Sequence, residues 1–370
     1  MTIQQLYPTT RPSLDLNFAR TKRLDPRVTF TRGSTATYVG SDGLIKTAAT
    51  NEARFDHDPA TGESLGLLIE EARTNIVLWN KDLTNAAWTA TNVTAVKDQT
   101  GIDGVSSSAS KITASANNGT ILQAITDASA ARFTTAYVKR LTGTGTVEMT
   151  QNGGTTWTAV TVTSSWARVS IPSATITNPS VGFRLTTSGD AIAVDYMQCE
   201  TGSFSTSAIA TTSATVTRSA DVASMTGTGF SSWWNASTGT FQANFRATLS
   251  GTRPVLSVDD NTANNRIELY TSTSSQKFTV TTSGTAQADI TAGTASSTVI
   301  NSQSAAYGSN DFSTSLNGTT AVTDTSGTVP VVTQLRIGAN QAGNTTAVPI
   351  ARLTYYPTRL TDAQLQALTL

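Results

Sequence analysis

Charge is scarce in this chain. Charged residues make up 14% of 370, and Lys+Arg equals Asp+Glu at 25 each. A neutral chain without a basic stripe is a poor nucleic-acid binder, and one without an acidic excess is not a disordered polyanion. Cysteine is nearly absent: with Cys199 alone, no intrachain disulfide exists. Histidine is equally rare, and one Cys with one His cannot build a Cys/His zinc centre. No apolar run approaches the ~18 residues of a membrane-spanning helix. The opening MTIQQLYPTTRPS lacks the apolar core of a signal peptide, so synthesis in a cytoplasm is expected. The sequons at Asn92, Asn118, Asn235, Asn317 and Asn344 are then by-products of Asn/Thr richness.

What replaces charge is Thr, Ser, Ala, Asn and Gly. Thr favours strands, whereas Gly, Asn and Ser favour turns. Apolar residues alternate in SLDLNFAR (13–20), TAYVKR, GTVEMTQNGGTTWTAVTV, WARVSI, VGFRL, AIAVDYMQCE and GTFQANFRATL (239–249). In the last, Phe241, Ala243, Phe245, Ala247 and Leu249 are expected on one face. The expected fold is all-β: an extended N-terminal segment (1–78), two tandem β-sandwiches (79–222 and 223–370) and a short C-terminal helix. Thr361 and Gln364 form a capping box for that helix, with Leu360 stapled to Leu365.

Residues 1–75 hold nine Lys/Arg and nine Asp/Glu, a concentration found nowhere else in the chain. Gly40-Ser41-Asp42-Gly43 is turn chemistry between two short strands. LGLLIEEARTN (65–75) fits either a strand or a short helix. The segment has few large apolar residues and is expected to lean on a partner for stability.

Two stretches carry resemblances. QLRIGAN…AVPIARLTYYPTRLTDAQLQALTL, with SWWNASTGTFQANF (232–245), resembles the closing and opening strands of concanavalin A-like, laminin-G-type jelly rolls. The stretch from FTRGSTATY to IEEARTN resembles a segment near the N-termini of tailed-bacteriophage head-spike and tail-fibre proteins. Its marks are Arg32-Gly33-Ser34, Tyr38, Gly43, Asn51-Glu52, Arg54-Phe55, Gly62, Gly66-Leu67-Leu68-Ile69-Glu70 and Arg73-Thr74-Asn75. The middle domain, ending VDYMQCETGSFSTSAIATTSATVTRSAD, resembles the carbohydrate-binding-module-like jelly rolls that follow that segment.

The resemblance implies a non-enzymatic structural protein on a virion surface, a homotrimer bound to capsid or tail proteins. It implies adhesion to host-surface polysaccharide, with neither nucleic acid nor membrane insertion. Arg32, Tyr38, Asn51, Arg54, His57, Glu70 and Arg73 are its candidate attachment residues. Trp157, Trp233, Trp234 and Tyr356 are the candidate glycan contacts, with Trp88, Trp166 and Tyr355 behind them, because aromatic faces suit sugar CH groups. Two other readings stay open: a capsid decoration without ligand, and a polysaccharide-degrading enzyme.

No cofactor is expected. SVDDNTANNR (257–266) has the oxygen-rich composition of a calcium loop but not EF-hand spacing, and is read as a hairpin turn. His57 lies between Asp56 and Asp58 with no GxSxG nucleophile to serve. It is read as a solvated-turn or assembly-contact histidine. The adjacent pairs Glu70-Glu71 and Asp259-Asp260 point to opposite faces of a strand, which a glycosidase pair cannot do. GTGTVE (143–148) and GTGFSS (227–232) are glycine-rich but precede no expected helix, so neither should cradle phosphate.

Overall fold

In the computed structural model, which describes residues 7–370, the alternation becomes paired antiparallel strands in two units. The middle unit comprises Leu44–Thr47 and Ala72–Ser219. The split unit is assembled from residues up to Gly43, from Ala48–Glu71 and from Ala220–Leu370. The two sandwiches are thus nested in the sequence, and most of the charged N-terminal segment belongs to the C-terminal one.

Three N-terminal strands join the split unit's eight-stranded sheet. Leu14–Leu16 pairs with Val348–Tyr356, which also pairs with Ser64–Ile69, and Phe55–His57 pairs with Ser64–Ile69. Thr29–Thr31 adds to Val222–Thr226 at the edge of the facing seven-stranded sheet. Leu14, Leu16, Phe18, Leu67 and Ile69 therefore enter the same core as Phe241, Phe245, Leu256, Phe278 and Leu335. The partner on which the segment leans is the C-terminal half of its own chain. The 65–75 stretch resolves as strands Ser64–Ile69 and Arg73–Asn75.

Within Ser64–Ile69, Gly66 has φ +102°, and a Cβ there would sit 2.1 Å from the Ile350 carbonyl oxygen. Only glycine permits that approach of the two backbones. The strand Gly239–Phe245 keeps the expected alternation, but it ends at Phe245, and Leu249 is exposed. The closing helix, Asp362–Leu368, has its capping box: Thr361 Oγ1 accepts from Gln364 N–H, and Gln364 Oε1 accepts from Thr361 N–H. Leu360 and Leu365 share a small cluster with Tyr356. Gly227–Ser231 is a single helical turn where no helix was expected.

The middle unit is two five-stranded sheets. Ala167–Ile176, Ala130–Thr142, Ala191–Thr201, Ala109–Ala114 and Val93–Gln99 make one, in that order; Thr158–Val160, Val147–Thr150, Ser180–Leu185, Gly119–Ala124 and Thr89–Thr91 make the other. Ile112, Val138, Ile192 and Val194 of the first pack with Ile121, Met149, Val181 and Phe183 of the second. The Ala72–Ser219 stretch enters and leaves the unit through one ladder, Arg73–Asn75 against Val216–Arg218, where the Thr74 and Thr217 hydroxyls meet at 2.7 Å. Asn75 is fully buried there. Its amide donates to the Met197 and Ile209 carbonyls and accepts from the Val77 and Cys199 N–H groups.

Candidate functional site

The residues singled out near the N-terminus converge in the split unit, but inward. Arg32 Nη1 donates to Asp221 Oδ1 at 3.0 Å, and Arg54 Nη2 bonds the other oxygen of the same carboxylate. Arg54 Nη1 donates to Glu70 at 2.6 Å and to the Thr37 carbonyl at 2.8 Å. Arg32 also holds the carbonyls of Ser34 and Ala49, and Asp221 accepts the Glu70 N–H at 2.9 Å. Two cations and two carboxylates thus neutralise one another out of contact with water. Burial alone would weaken the Arg54 charge, but Glu70 and Asp221 outweigh it and hold its pKa above the ordinary guanidinium value.

Most of the residues expected at an attachment surface are therefore turned inward. Arg32, Arg54, His57, Glu70 and Arg73 are buried, Tyr38 is half-buried, and only Asn51 is exposed. Asn51 occupies the left-handed region at φ +61°, where its side chain and N–H both bond the Arg32 backbone. Arg73 lies over the Phe204 ring at the stem of the middle unit. His57 is not a solvated-turn residue: it sits in the strand Phe55–His57, its Nδ1 2.9 Å from the Val39 carbonyl. Beside it, burial pushes the Asp56 carboxyl up to about 6, partly offset by the Val39 N–H that donates to it.

The tryptophans separate in the same way. Trp233 is 3% exposed and packs edge-on against Phe230 and Tyr355, so it offers no face to a sugar. Trp234 is half-buried, stacked among Phe230, Tyr307, Tyr355 and Phe241. Tyr356 and Tyr355 are core residues, and Trp88 is buried with its Nε1 on the Trp79 carbonyl. The calcium candidate is the turn between Thr252–Asp259 and Arg266–Ser272. Asp260 there accepts from Thr262 and Asn265, and Asp259 is buried against Gln334 and Arg336.

In the middle unit the half-open rings of Trp157, Tyr137 and Trp166 each lie against a cation. Arg184 sits 4.7 Å from the Trp157 centroid and pairs with Glu148 at 2.5 Å. On the other sheet, register places Arg168 opposite Tyr137, and Tyr137 opposite Asp195. The Arg168 guanidinium lies 5.6 Å from the Tyr137 ring and donates to Thr135 Oγ1 at 3.0 Å. Lys139 is two residues along from Tyr137, hence on the same face, and its Nζ lies 5.1 Å from the Trp166 ring. Tyr137, Lys139, Trp166 and Arg168 form one half-exposed block on the edge strand Ala167–Ile176 and its neighbour.

Next to the block, Lys81 lies 4.2 Å over the Tyr196 ring, pairs with Asp103 and stands 3.7 Å from Asp195. Tyr196 has φ +45° at a register shift between its strand and Ala130–Thr142, a bulged and strained position for a tyrosine. Burial drives the Asp195 carboxyl up to about 7, with Lys81 opposing and Asp103 reinforcing the rise. Sequence reasoning named Trp157 and Trp166. It missed Tyr137, Lys139 and Arg168, whose only signal was alternation on strands whose register was not yet known.

No protein-family model matches the chain, and no curated protein matches it. Among solved structures it is similar to the CBM40 of Ruminococcus gnavus IT-sialidase bound to alpha2,3 sialyllactose, at 17% identity and TM-score 0.34, over 38% of this chain and 88% of that one. It is also similar to Trypanosoma rangeli sialidase in complex with the inhibitor DANA, at 14% identity and TM-score 0.31, over 40% of this chain and 25% of that one. The leech intramolecular trans-sialidase follows at 15% identity and TM-score 0.28, over 36% of this chain and 23% of that one. At such scores these likenesses assign neither ligand nor activity to the chain.

Proposed function

We propose that this chain is a non-enzymatic glycan-binding protein of a tailed-phage virion surface, with the middle unit as its binding part. One observation carries the binding reading: half-open aromatic rings occur on both outer faces of the middle unit, each lined by a cation, while Trp233, Tyr355 and Tyr356 are consumed by packing. Aromatic faces that remain accessible on a rigid sheet suit the CH faces of sugars. The virion location and the trimer rest on the sequence resemblance of the N-terminal segment. That segment enters the reading as a structural part of the split unit and not as a free anchor.

The test is binding of fluorescent full-length protein to bacterial cells before and after removal of their surface polysaccharide. Binding lost on removal supports the reading. No binding in either case, with full occupancy on purified virions, makes the protein a decoration without ligand, and equal binding before and after removal overturns the polysaccharide reading. Release of new reducing ends makes it a hydrolase. Solution mass decides the trimer, whose repeated weak sites would multiply avidity by about 10²–10⁴.

A further inference from the structure

The cations over the middle unit's rings differ in one respect. Arg184 is matched by Glu148, and Lys81 by Asp103 and Asp195. Among the described residues, Lys139 and Arg168 have no carboxylate within ion-pair distance. In a chain this poor in charge, two neighbouring uncompensated cations on one face are conspicuous. Their contacts are with the Trp166 and Tyr137 rings and the Thr135 hydroxyl. The rings hold both side chains along the sheet, so much of the entropy of ordering them is already lost before a ligand arrives.

The carboxylate nearest in register, Asp195, is fully buried, accepts from the Ile102 and Tyr196 N–H groups and faces Lys81. Its ion-pair partner is Lys81, not Arg168.

We infer that the Tyr137–Lys139–Trp166–Arg168 block binds a carboxylate-bearing polysaccharide, its sugar faces against the two rings and its carboxylates on Lys139 and Arg168. The inference rests on the glycan-binding reading and narrows it to acidic chains. Planar guanidinium pairs with carboxylate through two parallel N–H donors, and charge-assisted bonds of this kind are roughly twice as strong as neutral ones. Charge complementarity also explains why this block, and not the Glu148-neutralised Trp157 platform, takes the anionic ligand. Two cations at a sheet edge are too few for the phosphate tracking that nucleic acid requires.

The experiment uses the full chain in affinity electrophoresis through gels containing polygalacturonate, dextran or no polysaccharide, with duplex DNA as a separate probe. Wild type is expected to be retarded by polygalacturonate and released at about 0.5 M salt, where screening shrinks to a few Å. Lys139→Gln with Arg168→Gln keeps both rings and is expected to weaken that retardation by about tenfold or more, the scale of two exposed charge-assisted contacts. Thermal melting checks that the double variant is folded. Should it unfold, Arg168→Lys alone is read instead, and it should weaken retardation by removing the paired donors. Retardation by dextran equal to that by polygalacturonate, or no effect of the substitutions, overturns the inference and leaves glycan binding standing. Equal capture of DNA overturns it in favour of unspecific polyanion adsorption. Retardation by neither polysaccharide overturns the inference, and the cell-binding test then decides the broader reading by itself.

Discussion

Asp221→Asn is the sharpest probe of the split unit. Asp221 accepts from Arg32, from Arg54 and from the Glu70 N–H, with no exposure of its side chain. Asparagine keeps the shape but removes the charge, and its amide nitrogen turns donors toward one of the guanidinium groups. Two buried cations would then share the single Glu70 carboxylate. Removing one partner of a buried ion pair costs about 3–5 kcal/mol, a large part of the ~5–15 kcal/mol that holds a domain together. For a unit of this size that is a fall in melting temperature of about 6–20 °C. Calorimetry measures the fall. Hydrogen exchange should localise it to amides of Thr29–Thr31, Ser64–Ile69 and Val222–Thr226. The control is Asp15→Asn. It breaks an Arg352 pair of similar length, 2.8 Å, with both side chains about 40% exposed, and should cost under about 1 kcal/mol. If both variants melt alike, near wild type, the cluster is not what fastens the N-terminal segment and the reasoning fails.

Two further outcomes are expected. Gly66→Ala should destabilise the split unit by at least about 2 kcal/mol, since the added Cβ meets the Ile350 carbonyl and φ is positive; urea denaturation checks it, and an unchanged midpoint refutes the close approach. Asp195 titrates near 7 when folded and near 3.8 when unfolded, so the folded state binds the proton more tightly. Its contribution is therefore fully present below about pH 4 and is lost as pH rises through about 7. Asp195→Asn should flatten the fall in stability between those values, and an unaltered pH profile would show that the carboxyl is not held protonated.

Local pattern carried a good deal of this fold. The alternation of Phe241, Ala243 and Phe245 and the Thr361–Gln364 box are read within a few residues, because period and capping are local. The hairpin pairing Val147 with Val160 is equally short-range. What local pattern could not carry is register between distant strands. Nothing near Leu14 announces Tyr355 as its partner, so the N-terminal segment read as a separate body. Arg32 and Arg54 misled for a related reason. Arginine is rarely buried unless paired, and the pairing carboxylate, Asp221, lies more than 160 residues away in the sequence. The Tyr137–Lys139–Trp166–Arg168 block was hidden likewise, since Tyr137 and Arg168 meet only once two strands are in register.

The nesting of the units has a consequence for synthesis. Ser64–Ile69 leaves the ribosome early, yet the strand that completes its sheet, Val348–Tyr356, follows some 280 residues later. At about 5–20 residues per second, that is roughly 15–60 s during which Ser64–Ile69 has only Phe55–His57 beside it and Leu14–Leu16 has no strand partner. The Ala72–Ser219 stretch of the middle unit emerges whole in that interval, its ends clamped by the ladder at Arg73–Asn75, and can fold while translation continues. A chain released prematurely would carry a finished middle unit and an unfinished split unit. Such a product exposes unpaired strands to aggregation and proteolysis.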